Sequence, residues 1–423
     1  MTFNRNVTAI ITLETLWSLG MAFLTFDILS ALIYSTGGSP ILVAVASTAN
    51  GLLVYAPQIF VPYFQQRIRH YVGGAALGQG FIVFGYTLPA IALLVSENHA
   101  LLRWMVVASL AMAGLGNAFC YPFYQQMRLR LFPPMFRSAS YSTALFFSQI
   151  GGALGAALCI PVLNAADGPT QRNYLWCFVI AIALGAAATA CFGLMRDPNP
   201  PPPRPAEIRP LGSFLREFVE IFRADRNLRV FLGSEWLNWL SGMGSTFVAF
   251  YAVTKFGESI AAPCSFARYV AAVAVVPLAH LVVTRLGARA TNVAFYWCSI
   301  AMFVVLLFPA TKPTILIASF LLGATGVFRV NYMFHLIAGL CPDADKSKYF
   351  ALCNVAVAPA ILIGPFLGGL VLKAGGSYRA LFGLSIIPLV AGLWLVCKKM
   401  TDPAPPVEEA GAVPRVSLKR MTN

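Results

Sequence analysis

Charged side chains are scarce in this sequence. Only 11% of its 423 residues are Asp, Glu, Lys or Arg, whereas 58% are hydrophobic. Soluble domains carry about 25% charged residues, so these few charges cannot cover the surface of a water-soluble protein of this length. The hydrophobic residues also come in long blocks rather than alternating with polar ones. This pattern predicts an all-α membrane protein with many spanning helices.

Motifs that hold metals, cofactors or nucleotides are also lacking. The nine cysteines are scattered through hydrophobic runs, with no CxxC pair and no Cys/His cluster at metal-site spacing. The glycine-rich stretch GGAALGQG precedes no Lys-Ser/Thr of a phosphate-binding loop, so close helix packing explains it better. We therefore expect no metal ion and no cofactor.

Twelve hydrophobic blocks of about 20 residues can be placed along the chain, each long enough to cross a bilayer. Numbered as spans 1 to 12, they cover residues 8–35, 41–63, 73–96, 101–125, 139–164, 174–195, 229–256, 264–283, 291–310, 314–338, 349–373 and 378–398. They divide the chain into an N-terminal six-helix bundle (1–195), a linker (196–228), a C-terminal six-helix bundle (229–398) and a tail (399–423). The linker is proline-rich at first and then reads FLREFVEIFRADRNLR, which predicts an amphipathic helix at the membrane interface.

The basic residues predict the orientation of the chain. Lys and Arg number 30 against 16 Asp and Glu, a net charge of +14. With the N-terminus placed in the cytoplasm, most basic residues fall in cytoplasmic segments, as the positive-inside rule requires. Topology thus explains the charge, and no nucleic acid is needed as a partner. We expect a monomeric integral protein of a bacterial inner (plasma) membrane, embedded in the lipid bilayer, with both termini cytoplasmic.

Internal similarity indicates that one six-span unit was duplicated. The stretch LETLWSLGMAF in span 1 resembles SEWLNWLSGMG in span 7, so that Glu14 corresponds to Glu235 and Trp17 to Trp239. Two further pairs follow in the same order: GLGNAFCYPFY with GATGVFRVNYM, and RSASY with KSKYF. Because three pairs agree in order and separation, we predict two six-helix bundles related by pseudo-two-fold symmetry.

Two short motifs carry a family resemblance. VVTRLGARA, between spans 8 and 9, has Arg285, Gly287 and Arg289 at the spacing of a basic, glycine-containing loop, and the matching loop after span 2 has Arg67 and Arg69 without the usual Gly and Asp. GPFLGGLV in span 11 resembles a helix-packing segment formed by Gly364, Pro365, Gly368 and Gly369. With these motifs and the repeat, the chain resembles the major facilitator superfamily over essentially its whole length. The resemblance implies a central site lined by spans 1, 4, 7 and 10.

Ionisable residues inside the spans mark the candidate site. Glu14, Asp27, Glu235, His280 and Arg329 lie well within spans, where a charge costs at least about 2.5–3.5 kcal/mol. We expect Arg329 to pair with Glu14 or Glu235, or to bind an anionic solute group, while a carboxylate carries a proton. An ion pair that only latches the two halves is the open alternative. The predicted solute- and ion-binding residues are Glu14, Trp17, Asp27, Tyr121, Gln125, Glu235, Trp239 and Arg329.

The leading functional hypothesis is a secondary transporter, not an enzyme. It moves a small organic solute by alternating access and is coupled to protons, because carboxylates are available at membrane depth. Two alternatives remain open: a transporter-like sensor or scaffold without transport, and a membrane-embedded lipid enzyme. The sequence leaves the solute and the direction of transport open.

Overall fold

The chain is helical throughout the part that its computed structural model describes, namely residues 2–65, 67, 70–132, 134–165, 170–197, 210–340 and 346–401. No β-strand occurs in that part of the chain. The helices are α1 (Thr2–Met21), α2 (Phe26–Ser35), α3 (Pro40–Tyr55), α4 (Val61–Gln65), α5 (Tyr71–Val95), α6 (His99–Leu131), α7 (Pro134–Leu163), α8 (Gln171–Ala190), α9 (Leu211–Ala224), α10 (Arg226–Leu240), α11 (Gly242–Ser245), α12 (Val248–Phe256), α13 (Ala261–Leu307), α14 (Lys312–Leu340), α15 (Lys346–Lys373) and α16 (Tyr378–Lys399). The prediction of an all-α membrane protein is confirmed.

Ten helical stretches in the described residues are long and apolar enough to cross a membrane. One of them, Glu258–Leu307, has 50 residues and contains both predicted spans 8 and 9. Its helix bends at Gly287, whose φ of 91° lies in the left-handed region that glycine tolerates. Predicted span 7 is not among the ten, because its helix is interrupted. The count of twelve spans and the symmetry of the two bundles therefore stay predictions.

Span 7 departs from the single continuous helix that the sequence predicts. It divides into α10, α11 and α12, with the breaks around Ser241 and Phe247. Glycine and serine are weak helix formers, and here Ser241 Oγ donates to the carbonyl of Asn238 at 2.6 Å. The small residues also permit close contacts: a side chain at Gly244 would collide with Ser385 and Phe303. Span 1 is broken in the corresponding place, by a 3₁₀ turn at Ala22–Leu24.

Helices of the first half meet helices of the second half along three seams. The α3 helix packs on α15, α7 packs on α13, and α2 packs on α12. Polar contacts also join the halves: Asn354 Nδ2 donates to Gln58 Oε1 at 2.5 Å, and the hydroxyls of Ser47 and Thr246 lie 3.3 Å apart. The halves thus meet through pairs of helices and a few polar contacts.

The amphipathic stretch of the linker contains helix α9. Phe214 and Phe218 are buried, whereas Leu215, Val219 and Phe222 on the adjoining side are exposed. The apolar face is therefore divided between contact with the protein and an outward surface. The proline-rich part of the linker and most of the predicted tail lie outside the described residues.

Each half is closed by an asparagine that joins its first helix to the segment after its last one. Asn6 donates to the carbonyl of Arg196 at 2.9 Å and accepts from the Arg196 N–H at 3.0 Å. Asn227 makes the same two bonds with Thr401, at 2.8 and 3.2 Å. Asn6 and Asn227 are separated by 221 residues, as are Glu14 and Glu235. These two asparagine clasps extend the repeat seen in the sequence.

The two clasps predict unequal losses of stability. Asn6 is buried, so Asn6→Ala leaves two backbone groups without partners, a loss we expect to cost about 1–3 kcal/mol. Asn227 is more exposed, so water can replace its bonds and Asn227→Ala should cost clearly less. Thermal unfolding of the purified variants in detergent measures the difference. Equal midpoints for both variants and wild type would contradict a structural role for the clasps.

The predicted packing segment of span 11 lies against the interrupted span 7. A Cβ added at Gly364 would meet the carbonyl oxygen of Trp239 at 2.5 Å, and one at Gly368 would collide with the carbonyl of Met243. Gly369 faces the other way, where its Cβ would lie 3.1 Å from Ala44 of α3. The glycines therefore bring α15 into backbone contact with α10 and α11 on one side and close to α3 on the other.

We predict that Gly368→Ala destabilises the protein strongly, because the colliding atom belongs to the backbone and cannot rotate away. Gly326→Ala is the matched control, since Gly326 lies within helix α14 and a Cβ there meets nothing within 4 Å. Alanine favours a helix by about 1 kcal/mol over glycine, so the control variant should be neutral or slightly stabilised. Expression yield and thermal midpoint of the two variants test the contrast.

Candidate functional site

A cavity of about 270 Å³ lies among α1, α5, α6 and α7. Four of the predicted site residues line it: Glu14, Trp17, Tyr121 and Gln125. Val330 of α14 contributes to its wall from the second half of the chain. Tyr121 is 40% exposed despite its position in the middle of a long helix, because its side chain faces this space. The cavity thus combines aromatic walls with a few polar groups, as small-molecule sites usually do.

Glu14 is held by two residues of α6 that lie one helical turn apart. The Tyr124 hydroxyl donates to Glu14 Oε1 at 2.6 Å, and Arg128 Nη1 lies 3.9 Å from the same oxygen. Arg128 also contacts the rings of Tyr124 and Tyr141, with its guanidinium carbon 5.5 and 4.7 Å from their centres. Glu14 remains 21% exposed. It is therefore a carboxylate with a counter-charge and access to the cavity.

Glu235 occupies the corresponding place in the second half but is far more enclosed. Arg329 Nη2 donates to its Oε2 at 2.9 Å, and the Tyr332 hydroxyl donates to Oε1. The guanidinium of Arg329 lies over the Trp239 ring, 4.4 Å from the ring centre. Glu235 itself is 1% exposed. In each half, a glutamate of the first span thus accepts a hydrogen bond from a tyrosine of the fourth span: span 1 from span 4, and span 7 from span 10.

Tyr121 and Gln125 line the cavity beside Glu14, and Val330, the sequence neighbour of Arg329, faces the same space. In the second cluster, Tyr55 packs edge-on against Trp239, with ring centres 5.5 Å apart. The Glu235–Arg329 pair does not itself line the cavity around Glu14.

Asp27 forms the ion pair that joins the two halves. Arg268 Nη2 of α13 donates to its Oδ1 at 2.9 Å, and Ser265 donates to its Oδ2 at 3.1 Å. Asp27 lies in the first turn of α2, which begins after the break in span 1, so the N-terminal helix dipole also favours its negative charge. Glu235–Arg329, by contrast, lies within the second half and cannot latch the halves together. Among the ion pairs of the described residues, Asp27–Arg268 is the one that joins the two halves.

The loop residues of the family motif lie away from the cavity. Arg67 is exposed and donates to the Tyr63 hydroxyl at 2.6 Å, while Arg69 lies outside the described residues. Arg285 is exposed, whereas Arg289 donates to the carbonyl of Cys397 at 2.5 Å. Gly287 makes the bend between them. Arg289 thus ties the start of span 9 to the end of span 12.

Two arginines with carboxylate partners are missing from the five ionisable residues that the sequence predicts well inside the spans. Predicted span 4 ends at residue 125, short of Arg128, but α6 continues to Leu131 and keeps Arg128 buried. Predicted span 8 begins at residue 264, close to Arg268, but α13 begins at Ala261 and carries Arg268 two turns into the helix. The available signal was helical spacing: Tyr124 precedes Arg128 by four residues, and both face Glu14.

A model of the Major Facilitator Superfamily matches residues 15–328 and 264–421. Comparison with curated proteins finds no match. Among solved structures, the nucleoside transporter NupG superposes with a TM-score of 0.69 at 9% identity, covering 93% of this chain and 100% of that one. The E. coli fucose:proton symporter FucP gives 0.64 at 14% identity (95% and 100% covered), and a D-xylose-proton symporter gives 0.68 at 14% (95% and 99%).

The fold and the family match define a membrane transporter with the architecture of these proteins. The chain belongs to the major facilitator superfamily, which confirms the resemblance noted in its sequence. At 9–14% identity the superpositions establish the fold, and they leave the solute to be argued from the residues of this chain.

Proposed function

We propose that this protein is a proton-coupled secondary transporter that moves a small organic solute by alternating access. The observation that carries the proposal is Glu14: a carboxylate at membrane depth that has a counter-charge and yet reaches an aromatic cavity. A buried ionisable group in a membrane span is costly, and such groups usually mark a solute or ion pathway. Neighbours in fold that are named as proton symporters of sugars support the coupling.

The proposed architecture has twelve spans in two six-helix bundles, residues 1–195 and 229–398, joined by the linker. The breaks in spans 1 and 7 lie at matching places and give each half a point at which its first helix can bend. We propose that the bundles rock about the three seams while the asparagine clasps keep each bundle rigid. From the positive-inside rule we propose that both termini lie on the cytoplasmic side of a bacterial inner membrane, and that the protein acts as a monomer.

Glu14 and Glu235 receive different roles in this proposal. Glu14 is accessible enough to exchange a proton with water in the cavity. Its partner Arg128 lies 3.9 Å away, too far for a hydrogen bond that would hold the carboxylate. Glu235 is fully enclosed and accepts hydrogen bonds from both Arg329 and Tyr332 of α14, so it holds α14 in position. Trp17, Tyr121 and Gln125 supply contacts for the solute.

The alternatives from other classes find less support. A sensor or scaffold does not need a carboxylate that opens to a cavity. A lipid enzyme needs a nucleophile and a base, or a metal, within bonding distance. No group of three or more His, Cys, Asp or Glu residues suited to a metal lies together in the described residues. Transport therefore remains the function that the geometry favours.

Reconstituted flux tests the proposal. Purified protein in liposomes is assayed for accumulation of radiolabelled solutes, screened by class, under an imposed pH gradient. We expect Glu14→Gln to abolish gradient-driven accumulation while solute exchange between equal pools continues. Glu97→Gln, a change to an exposed loop residue, is the control and should behave as wild type. Gradient-driven accumulation by Glu14→Gln at the wild-type level would reject Glu14 as the proton site.

A further inference from the structure

We infer that the solute is an organic monoanion whose carboxylate binds Arg128 while a proton on Glu14 keeps the site neutral. The inference rests on the proposed function and specifies its solute class and stoichiometry. Four features of the cavity support it: the donors left on Arg128, a further donor in its wall, the aromatic walls and the balance of charge.

Arg128 has hydrogen-bonding capacity that the described residues do not use. It is 8% exposed, and its hydrogen bond within the described residues runs from Nη2 to the carbonyl of Ser140, at 3.3 Å. A guanidinium carries five N–H donors in a planar fork that fits a carboxylate. Its distance of 3.9 Å from Glu14 is too long for a hydrogen bond. The group is thus oriented by aromatic rings and retains donors for a second acceptor.

A buried polar atom in the cavity wall also lacks an acceptor. Gln79 Nε2, which belongs to the lining, has no hydrogen-bond partner among the described residues. This atom is a donor, like the free N–H groups of Arg128. Leaving a buried donor unpaired is costly, so the occupant that suits this surface brings acceptors rather than donors.

Size and shape narrow the class further. A cavity of about 270 Å³ lies just below the range of ~300–1,000 Å³ that is usual for small-molecule sites. Trp17, Tyr121, Tyr124 and Tyr141 provide flat walls. A solute with one ring or a short chain attached to its carboxylate fits this space, whereas a large amphipathic compound does not.

The charge balance links anion and proton. Glu14 and Arg128 together carry no net charge, so an anion alone would leave the buried site negative, which a poorly solvated cavity disfavours. The other titratable groups that face Glu14 are Cys120 and Tyr124 of α6 and Tyr141 of α7, all neutral in their ordinary forms. A proton on Glu14 therefore frees Arg128 for the anion, and both leave together. Transport is then electroneutral.

Binding of matched probe pairs tests the inference. The probes are benzoate with benzamide, and hexanoate with hexanamide, each pair alike in shape and different in charge. We expect a carboxylate to raise the thermal midpoint of the purified protein and its amide not to. Arg128→Gln should weaken carboxylate binding at least about 30-fold, the scale expected when one partner of a buried charge pair is removed. Arg130→Gln is the matched control, because Arg130 lies half a turn away and pairs with Asp197.

Proton uptake gives a second readout, which would not depend on anion binding if Arg128 had only a structural role. Calorimetry of carboxylate binding in buffers of different ionisation heat should show one proton taken up per anion in wild type and none in Glu14→Gln. The inference would be overturned if the amides stabilised the protein as well as the acids did, or if neither carboxylate stabilised it. Binding without proton uptake would also overturn it. If carboxylates bind through Arg128 but nothing is carried into liposomes, the proposed transport fails while the anion site stands.

Discussion

Arg329→Gln will destabilise this protein by about 3–5 kcal/mol, because it leaves a buried carboxylate without its counter-charge. Glu235 is 1% exposed and receives its hydrogen bonds from Arg329 and Tyr332, so water cannot replace the guanidinium. The loss also removes the cation that rests on the Trp239 ring. Thermal unfolding in detergent should show a large drop in midpoint, and transport in liposomes should be lost.

The reverse change should be milder. Glu235→Gln leaves Arg329, which is 19% exposed and can turn part of its charge toward the cavity. The double variant Glu235→Gln/Arg329→Gln should recover much of the stability that Arg329→Gln loses, since no buried charge remains unpaired. Arg379→Gln, at an exposed position on α16, is the control. If Arg329→Gln unfolds at the wild-type midpoint, Glu235 is not held as a buried anion.

Much of the fold could be predicted from the sequence because hydrophobic length alone identifies membrane-spanning helices. Their interruptions were harder to see. Span 7 has the hydrophobic length of one helix, yet Ser241 and Gly242 allow it to break where α15 approaches. Close backbone contact decides the break, and such contact is a property of the tertiary structure. The same Gly-Met pair follows Trp17 in span 1, where the sequence repeat already indicated a related role.

The sequence predicts which residue types belong to the candidate site better than it predicts which residues pair with one another. Burial costs identified Glu14 and Glu235 from composition, since charges are rare inside spans. Arg128 and Arg268, the partners of Glu14 and Asp27, lie near helix ends, where the limits of predicted spans are least certain. An arginine's long side chain reaches several ångströms from its backbone, so its position along the sequence says little about where its charge lies.

Loss of the Asp27–Arg268 pair will shift the protein toward a state in which α2 and α13 separate. The pair crosses from the first half to the second, as does a hydrogen bond from Tyr174 to Glu258, at 2.7 Å. It stabilises only the conformation in which the two helices touch. Removing a partner of a buried ion pair costs about 3–5 kcal/mol, and about 5.5 kcal/mol suffices to invert a 99:1 population.

The two single changes should differ because the two side chains are buried to different degrees. Asp27 is 2% exposed, whereas Arg268 is 25% exposed. Arg268→Gln therefore leaves an enclosed anion and should open the seam more than Asp27→Asn, which leaves an arginine that can reach water. Spin labels on cysteines at Ser39 and Lys312, in a variant without the native cysteines, report the separation of the two halves by electron–electron distance measurement.

We expect the label distance to lengthen in Arg268→Gln, to lengthen less in Asp27→Asn, and to return toward wild type in the charge-swapped double variant Asp27→Arg/Arg268→Asp. Thr36→Ala, a change at the C-terminal cap of α2 that leaves the pair intact, controls for general loosening of the helix. Distances that stay unchanged in both single variants would assign the ion pair to packing rather than to closure. If the distance lengthens in both single variants and the charge swap reverses the change, closure between α2 and α13 depends on this one electrostatic contact. The swap would then restore opposite charges, and with them the closed state, without restoring either native side chain.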